Sequence, residues 1–257
     1  MRRCDPACTE RLREPLSCPA GTATAAFPRR AGSGDDGGVP LPNRVDPFGA
    51  LHAVPERGSF TGNRGCLVDD AGRFVRHHRG NLWIICRTEF RGRRVGLTRP
   101  GRWTPVFFLD DAVALAAGHR PCGECRHADY LAYREAVAAA LGRPQRAGDL
   151  NRRLAAERGT TSTDTDLPDG AVVLTDGPRL VLGDRLHAFA FSGWRDPTPR
   201  PDGPLTVLTP PTSVLALRHG FTPRLTTPST GTPSCAPPAG WPALRAGAPT
   251  RRSGRRP

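Results

Sequence analysis

The sequence predicts an α+β fold in which small, mainly antiparallel sheets pack with two to four helices, and three observations carry that prediction. From Ala171 to Phe191 short apolar stretches alternate between Asp-Gly turns, as in a β-meander. From Asn81 to Phe90 the run NLWIICRTEF is rich in β-formers with an apolar centre, which suits a buried strand. From Asp129 to Leu141 the apolar positions Tyr130, Leu131, Tyr133, Val137, Ala138 and Leu141 recur at helical spacing, and Gly142 and Pro144 end the run.

The other elements follow in chain order. Turn chemistry opens the segment at Arg44, a short alternation at Ala50 to Val54 reads as a strand, and the glycine-rich passage from Gly58 to Gly65 leads into another. Asp69-Asp70-Ala71-Gly72 is a hairpin-type turn, and RGRR a basic one. After the breaker RPGR, Trp103 to Leu109 is a short strand. It runs into DDAVALAAG, a helix with acids in its first turn and Gly118 as its stop. A weaker helix covers Asp149 to Glu157. The meander takes AVVL, the turn TDGP, RLVLG and HAFAF in turn. PPTSVLALRHGFTP echoes LDDAVALAAGHRP at Ala216, Leu217, Gly220 and Pro223, without the cysteines, and so predicts a metal-free packing element.

Composition confines this fold to the middle of the chain. Of 257 residues, 29 are Gly and 28 Pro, and only 37% are hydrophobic, so part of the chain cannot bury enough apolar surface to fold. The poor stretches are terminal. We expect a disordered extension over 1–42, a metal-binding domain over 43–145, a meander with short helices packed on it over 146–225, and a disordered Pro- and Arg-rich tail over 226–257.

The formal net charge is +13 and every basic residue is arginine. The tails account for part of it: 26 Arg stand against 19 acids between Leu41 and Leu225. That surplus is compatible with a polyanionic partner such as DNA or RNA. No apolar run reaches the length of a membrane span, and the first residues lack a signal-peptide pattern, so the expected compartment is the cytoplasm, with no membrane partner. In a reducing compartment the eight cysteines read as metal ligands or free thiols rather than disulfides.

Cys122-Gly123-Glu124-Cys125 has knuckle spacing: two thiolates separated by two residues can turn toward one tetrahedral zinc ion, with the small Gly123 easing the turn. A redox pair would sit at the start of a helix in a βαβ setting, whereas this motif follows a helix end and a proline. Zinc needs two more ligands, for which Cys66 and Cys86 are the candidates. Cys86, after Ile84 and Ile85, also suits a core hydrophobe, and His77, His78, His119 and His127 compete for the fourth position.

The run FFLDDAVALAAGHRPCGECR resembles the zinc-binding segment of the Ada methylphosphotriester repair domain, where a strand and an acid-started helix lead to Arg-Pro-Cys-x-x-Cys-Arg. The match spans about twenty residues. It implies Cys122 and Cys125 as zinc ligands with two upstream cysteines. That family's upstream pair is C-x3-C, whereas Cys66 and Cys86 lie twenty residues apart. The core also resembles a bacterial family with a GNRGCLHD-like motif, Val68 standing here in the place of its histidine.

Three functions follow. One is a zinc-stabilised module contacting nucleic acid through Arg87, Arg91, Arg93, Arg94, Arg120 and Arg126, with Trp103 as a stacking surface. Another is a zinc- or thiol-dependent enzyme, a hydrolase or methyl acceptor, with Asn63, Arg64, Asp69, His77 and His78 as participants. A closed four-thiolate shell disfavours it, because a catalytic zinc keeps one position for water. A protein-interaction module built on the meander is the third possibility.

Overall fold

The computed structural model describes residues 40–227, apart from 97, 99 and 100. The expectations for the first 39 residues and for 228–257 lie outside the described residues. Between them the fold is α+β, with four helices among the described residues and sheets that are mostly antiparallel.

The first sheet is built from β1 (Arg44–Val45), β2 (Leu51–His52), β3 (Phe60–Asn63), β4 (Ile84–Arg87), β7 (Pro105–Phe108) and β8 (Arg120–Pro121), in the order β2-β1-β7-β3-β4-β8. A separate two-stranded hairpin, β5 (Glu89–Phe90) with β6 (Arg93–Arg94), projects after β4. β3 is central and crowded. A Cβ on Gly62 would stand 2.4 Å from the Phe108 ring, so only glycine lets β3 lie against β7. The Asp69 turn forms as expected: Asp69 N donates to the Arg73 carbonyl at 3.0 Å, and Val68 bridges Phe74.

Two pairings in this sheet are parallel, β1 with β7 and β4 with β8. The second matters for the site. Ile84 faces Arg120 and Ile85 faces Pro121, so the residues at either end of these two strands are brought side by side. A strand of two residues has no period to read, and β8 was not legible beforehand.

Helix α1 (Asp111–Ala116) follows β7; its cap is Asp110, whose side chain accepts from Val113 N at 3.2 Å. α2 (His127–Leu141) ends at Gly142, in the left-handed region at φ 64°. α3 (Ala147–Glu157) begins two residues before the expected Asp149 and buries Leu150 and Leu154. α4 (Pro211–Arg218) is the packing element foreseen from the sequence echo. Its Ser213 meets Tyr133 of α2 at 2.9 Å.

The second sheet holds the meander, with three further strands: β9 (Ser162–Asp164), β10 (Val172–Leu174), β11 (Pro178–Leu182), β12 (Arg185–Ala190), β13 (Gly193–Pro199) and β14 (Leu205–Val207), ordered β13-β12-β11-β10-β14-β9. Both sheets and all four helices feed one continuous core, from Val45 and Ile85 through Leu115, Tyr133 and Leu150 to Val173 and Trp194. Trp194 of β13 donates its indole N–H to Asp110 at 2.6 Å, tying the meander to the cap of α1.

Candidate metal centre

Cys86 lies near the end of β4, and Cys122 follows β8 directly. The Cys122 amide donates to the Ile85 carbonyl at 2.9 Å, so the parallel ladder carries on to the cysteine. Beyond it the chain turns through Gly123 and Glu124 to Cys125 and enters α2. Gly123 is not in the left-handed region, and a Cβ there would make ordinary contact with Tyr130 at 3.5 Å, so the turn does not depend on glycine.

The sulfurs of Cys86, Cys122 and Cys125 all lie within 4.8 Å of one another. With Zn–S bonds of about 2.3 Å the edge of a tetrahedral sulfur shell is about 3.8 Å, so small side-chain adjustments suffice to close on an ion. Two backbone amides already support the cluster: Glu124 N donates to Cys122 Sγ at 3.4 Å and Arg87 N to Cys125 Sγ at 3.4 Å. Such donors stabilise charged sulfur. The three thiols are hydrogen-bonded to one another. Hydrogen bonds from Cys125 and Cys86 hold Cys122 far below the usual thiol range, and the same sharing raises Cys86 and Cys125. Cys122 is buried, Cys86 and Cys125 half-buried. Among the described residues no histidine or carboxylate joins this group.

The structure sets Cys66 apart from this cluster, correcting the four-cysteine expectation. Cys66 is buried in the core and its thiol donates to the Val68 carbonyl at 3.3 Å. The glycine-rich surround that suggested a ligand loop serves a different residue. Asn63 Oδ1 accepts from Gly65 N at 2.7 Å, and Gly65 adopts φ 95°, with no room for a Cβ beside the Arg79 backbone. That turn drives Arg64 into the interior, fully buried. Three of the competing histidines go elsewhere as well: His77, His78 and His119 surround Trp83, their ring centres 5.6, 5.3 and 4.9 Å from it. His127 caps the knuckle, its Nδ1 2.9 Å from the Gly123 carbonyl.

Of the basic residues expected at a nucleic-acid surface, two turn inward. Arg126, only 1% exposed, pairs through both terminal nitrogens with Asp111, through Nε with Asp129 at 2.7 Å, and covers the Phe60 ring. It is an anchor that fixes the knuckle to the start of α1. Arg120 is also buried, donating to Asn151 Oδ1 at 2.8 Å and covering Tyr130. Arg87, Arg91, Arg93 and Arg94 are exposed, at the end of β4 and on the hairpin that follows it. Arg91 and Gly92 take positive φ at its tip, and Glu89 pairs with Arg94 at 3.1 Å. Trp103 is half-buried before β7, where its neighbour Thr104 donates to the Gly65 carbonyl at 3.0 Å.

No helix among the described residues is long and apolar enough to cross a membrane. No family of known proteins, no curated protein and no solved structure matches this chain.

Proposed function

We propose that this chain is a zinc-binding domain with an Ada-like metal segment, which holds its ion through Cys86, Cys122 and Cys125 and binds nucleic acid beside it. One observation carries the metal reading: three sulfurs from two separate chain segments converge, with backbone N–H donors on two of them. An all-sulfur donor set suits zinc, and the bound ion would keep the thiolates ionised. Nucleic acid is supported by position. The hairpin with Arg91, Arg93 and Arg94 leaves the strand that bears Cys86, and Arg87 is the residue whose amide supports Cys125.

A second reading rests on the count of ligands. Three converging cysteines leave a fourth position for water or substrate, on the side where Cys86 and Cys125 are only half-buried, and this favours a zinc- or thiol-dependent enzyme.

The test is zinc content of the purified chain and of single Ser variants at Cys66, Cys86, Cys122 and Cys125. The expected result is a single zinc per chain, lost or weakened in the last three variants and kept in Cys66→Ser. Zinc loss in Cys66→Ser alone would refute the three-cysteine centre. For nucleic acid, affinity should fall linearly on a log–log salt plot, and replacing Arg93 and Arg94 by Gln should flatten the slope by about 0.9 per lost phosphate contact.

A further inference from the structure

At the end of β4 opposite Cys86, Trp83 sits beneath two guanidinium groups. Arg64 comes from the GNRG turn: Nη1 donates to the Gly49 carbonyl at 2.7 Å, Nε donates to His119 Nε2 at 3.2 Å, and its guanidinium carbon lies 4.2 Å from the Trp83 ring centre. Its Nη2 is buried without a partner. Arg158, at the C-cap of α3, brings a second guanidinium to 4.0 Å from the same ring, held by the carbonyls of Gly118 and Asn81, each at 3.1 Å.

Neither arginine forms an ion pair among the described residues; their protein acceptors are neutral. Asp46 is the acid whose charge reaches Arg64, and it is already engaged by His52 Nε2 at 2.8 Å and Ala50 N at 2.9 Å. Burial lowers Arg64 to about 9 and Arg158 to about 10, yet both remain cations at neutral pH. A fully buried and a half-buried cation on one ring, with no acid in direct contact, are costly, and a bound anion would offset that cost.

Arg158 and Trp83 open onto a cleft of about 780 Å³. His77 and His78 stand in its wall, while Phe48, Ala116 and Ala117 give it an apolar side. This volume lies within the range of small-molecule sites, about 300–1,000 Å³, and greatly exceeds a lone inorganic anion. We propose that the cleft binds a phosphate monoester. Arg158 would contact the phosphoryl oxygens, Arg64 supplies charge from behind Trp83, His78 acts as a donor, and the apolar wall takes the organic part; His77, whose Nε2 is held at the Gly49 carbonyl at 2.6 Å, shapes the wall without donating. Arginine suits this role because its planar fork matches phosphate oxygens. The proposal is independent of the zinc reading, since none of these residues touches the cysteine cluster.

The experiment is calorimetric titration of the full chain with inorganic phosphate and with a mononucleoside monophosphate, alongside a short oligonucleotide. Arg158→Gln, a half-buried position, is the principal variant, with His78→Gln as a milder second and the Arg93/Arg94 double Gln variant as the control for the basic hairpin. The expected result is saturable monophosphate binding at about 1 mM or tighter, weakened about tenfold or more by Arg158→Gln and unchanged in the hairpin variant. Cys125→Ser should lose zinc and keep this binding, which separates the two readings. Absence of saturable binding, equal binding by Arg158→Gln, or loss in the hairpin variant alone would each overturn the proposal. Binding of the oligonucleotide but of neither small phosphate would also overturn it, by assigning the charge to a polymer.

Discussion

Arg126 does more for the metal centre than its place in a Cys-Arg motif suggests. Its side chain is 1% exposed and that of Asp111 fully buried, so the pair depends on mutual neutralisation. Removing one partner leaves an isolated buried charge, a cost of about 3–5 kcal/mol. Arg126→Met should therefore lower the unfolding free energy by that order and weaken metal binding at the cysteine cluster, of which Arg126 is no member. Urea denaturation of Arg126→Met against the Arg126→Met/Asp111→Leu double variant checks the cause: the double variant should recover part of the loss. His119 gives a pH dependence. It is fully buried, and desolvation followed by the charges of Arg64 and Arg158 holds it well below its ordinary 6.5, while His77 is pushed down to about 4 for the same leading reason. An imidazole lowered in the folded state leaves the unfolded chain the better proton acceptor, so the stability it confers is complete above 6.5 and is lost as pH falls toward 4. The thermal midpoint should drop across that window, and less steeply in His119→Gln; parallel curves would exclude the histidine as a source. At this scale the sequence revealed Cys122 and Cys125, because two thiols at C-x2-C spacing need no tertiary information. Cys66 misled because the glycines around it serve the backbone turn at Gly65 and the burial of Arg64, a demand that composition does not distinguish from a ligand loop.

The elements with a clear period were legible. α2 and α3 came through to within two residues, and the strands of the meander lie where Asp-Gly turns placed them. What could not be read were strands of two or three residues, β1, β8 and β9, whose existence depends on partners distant in sequence. The parallel pairing of β4 with β8, which places Cys86 beside Cys122, belongs to this class. β3 is held by close approach rather than by propensity. A methyl group on Gly62 would stand 2.4 Å from Phe108 Cε2 and 3.0 Å from the Ile84 carbonyl. Gly62→Ala should therefore cost at least the roughly 1–3 kcal/mol typical of overpacking and loosen β4 with it, seen as a lower melting temperature.

For the molecule as a whole, the two regions expected from sequence share one core, and the chain closes on itself around Asp110 and Asp111. The amide of Thr226 donates to Asp110 at 3.0 Å, and that of Arg224 to Asp111 at 2.9 Å, so the last described segment lies across the start of α1. Asp110 thus collects Trp194, Thr226 and Val113 at one carboxyl group. We expect a single unfolding transition, with tryptophan fluorescence and far-ultraviolet dichroism coincident, and separation of the two signals in Asp110→Ala. Coincident curves in that variant would mean that the core alone couples the sheets.

The neighbouring ends of β4 and β8 have a further consequence in chain statistics. Parallel strands cannot be joined by a hairpin, and everything between Cys86 and Cys122 must loop out before the two register pairs form. An ion gripping both cysteines acts as a reversible cross-link across that loop, removing from the unfolded chain an entropy worth on the order of 3–4 kcal/mol in the loop-closure model. Chelation would then be felt first as fraying of β8 and the knuckle, seen as faster amide exchange at Cys122, whose amide bonds to the Ile85 carbonyl, with the meander still protected.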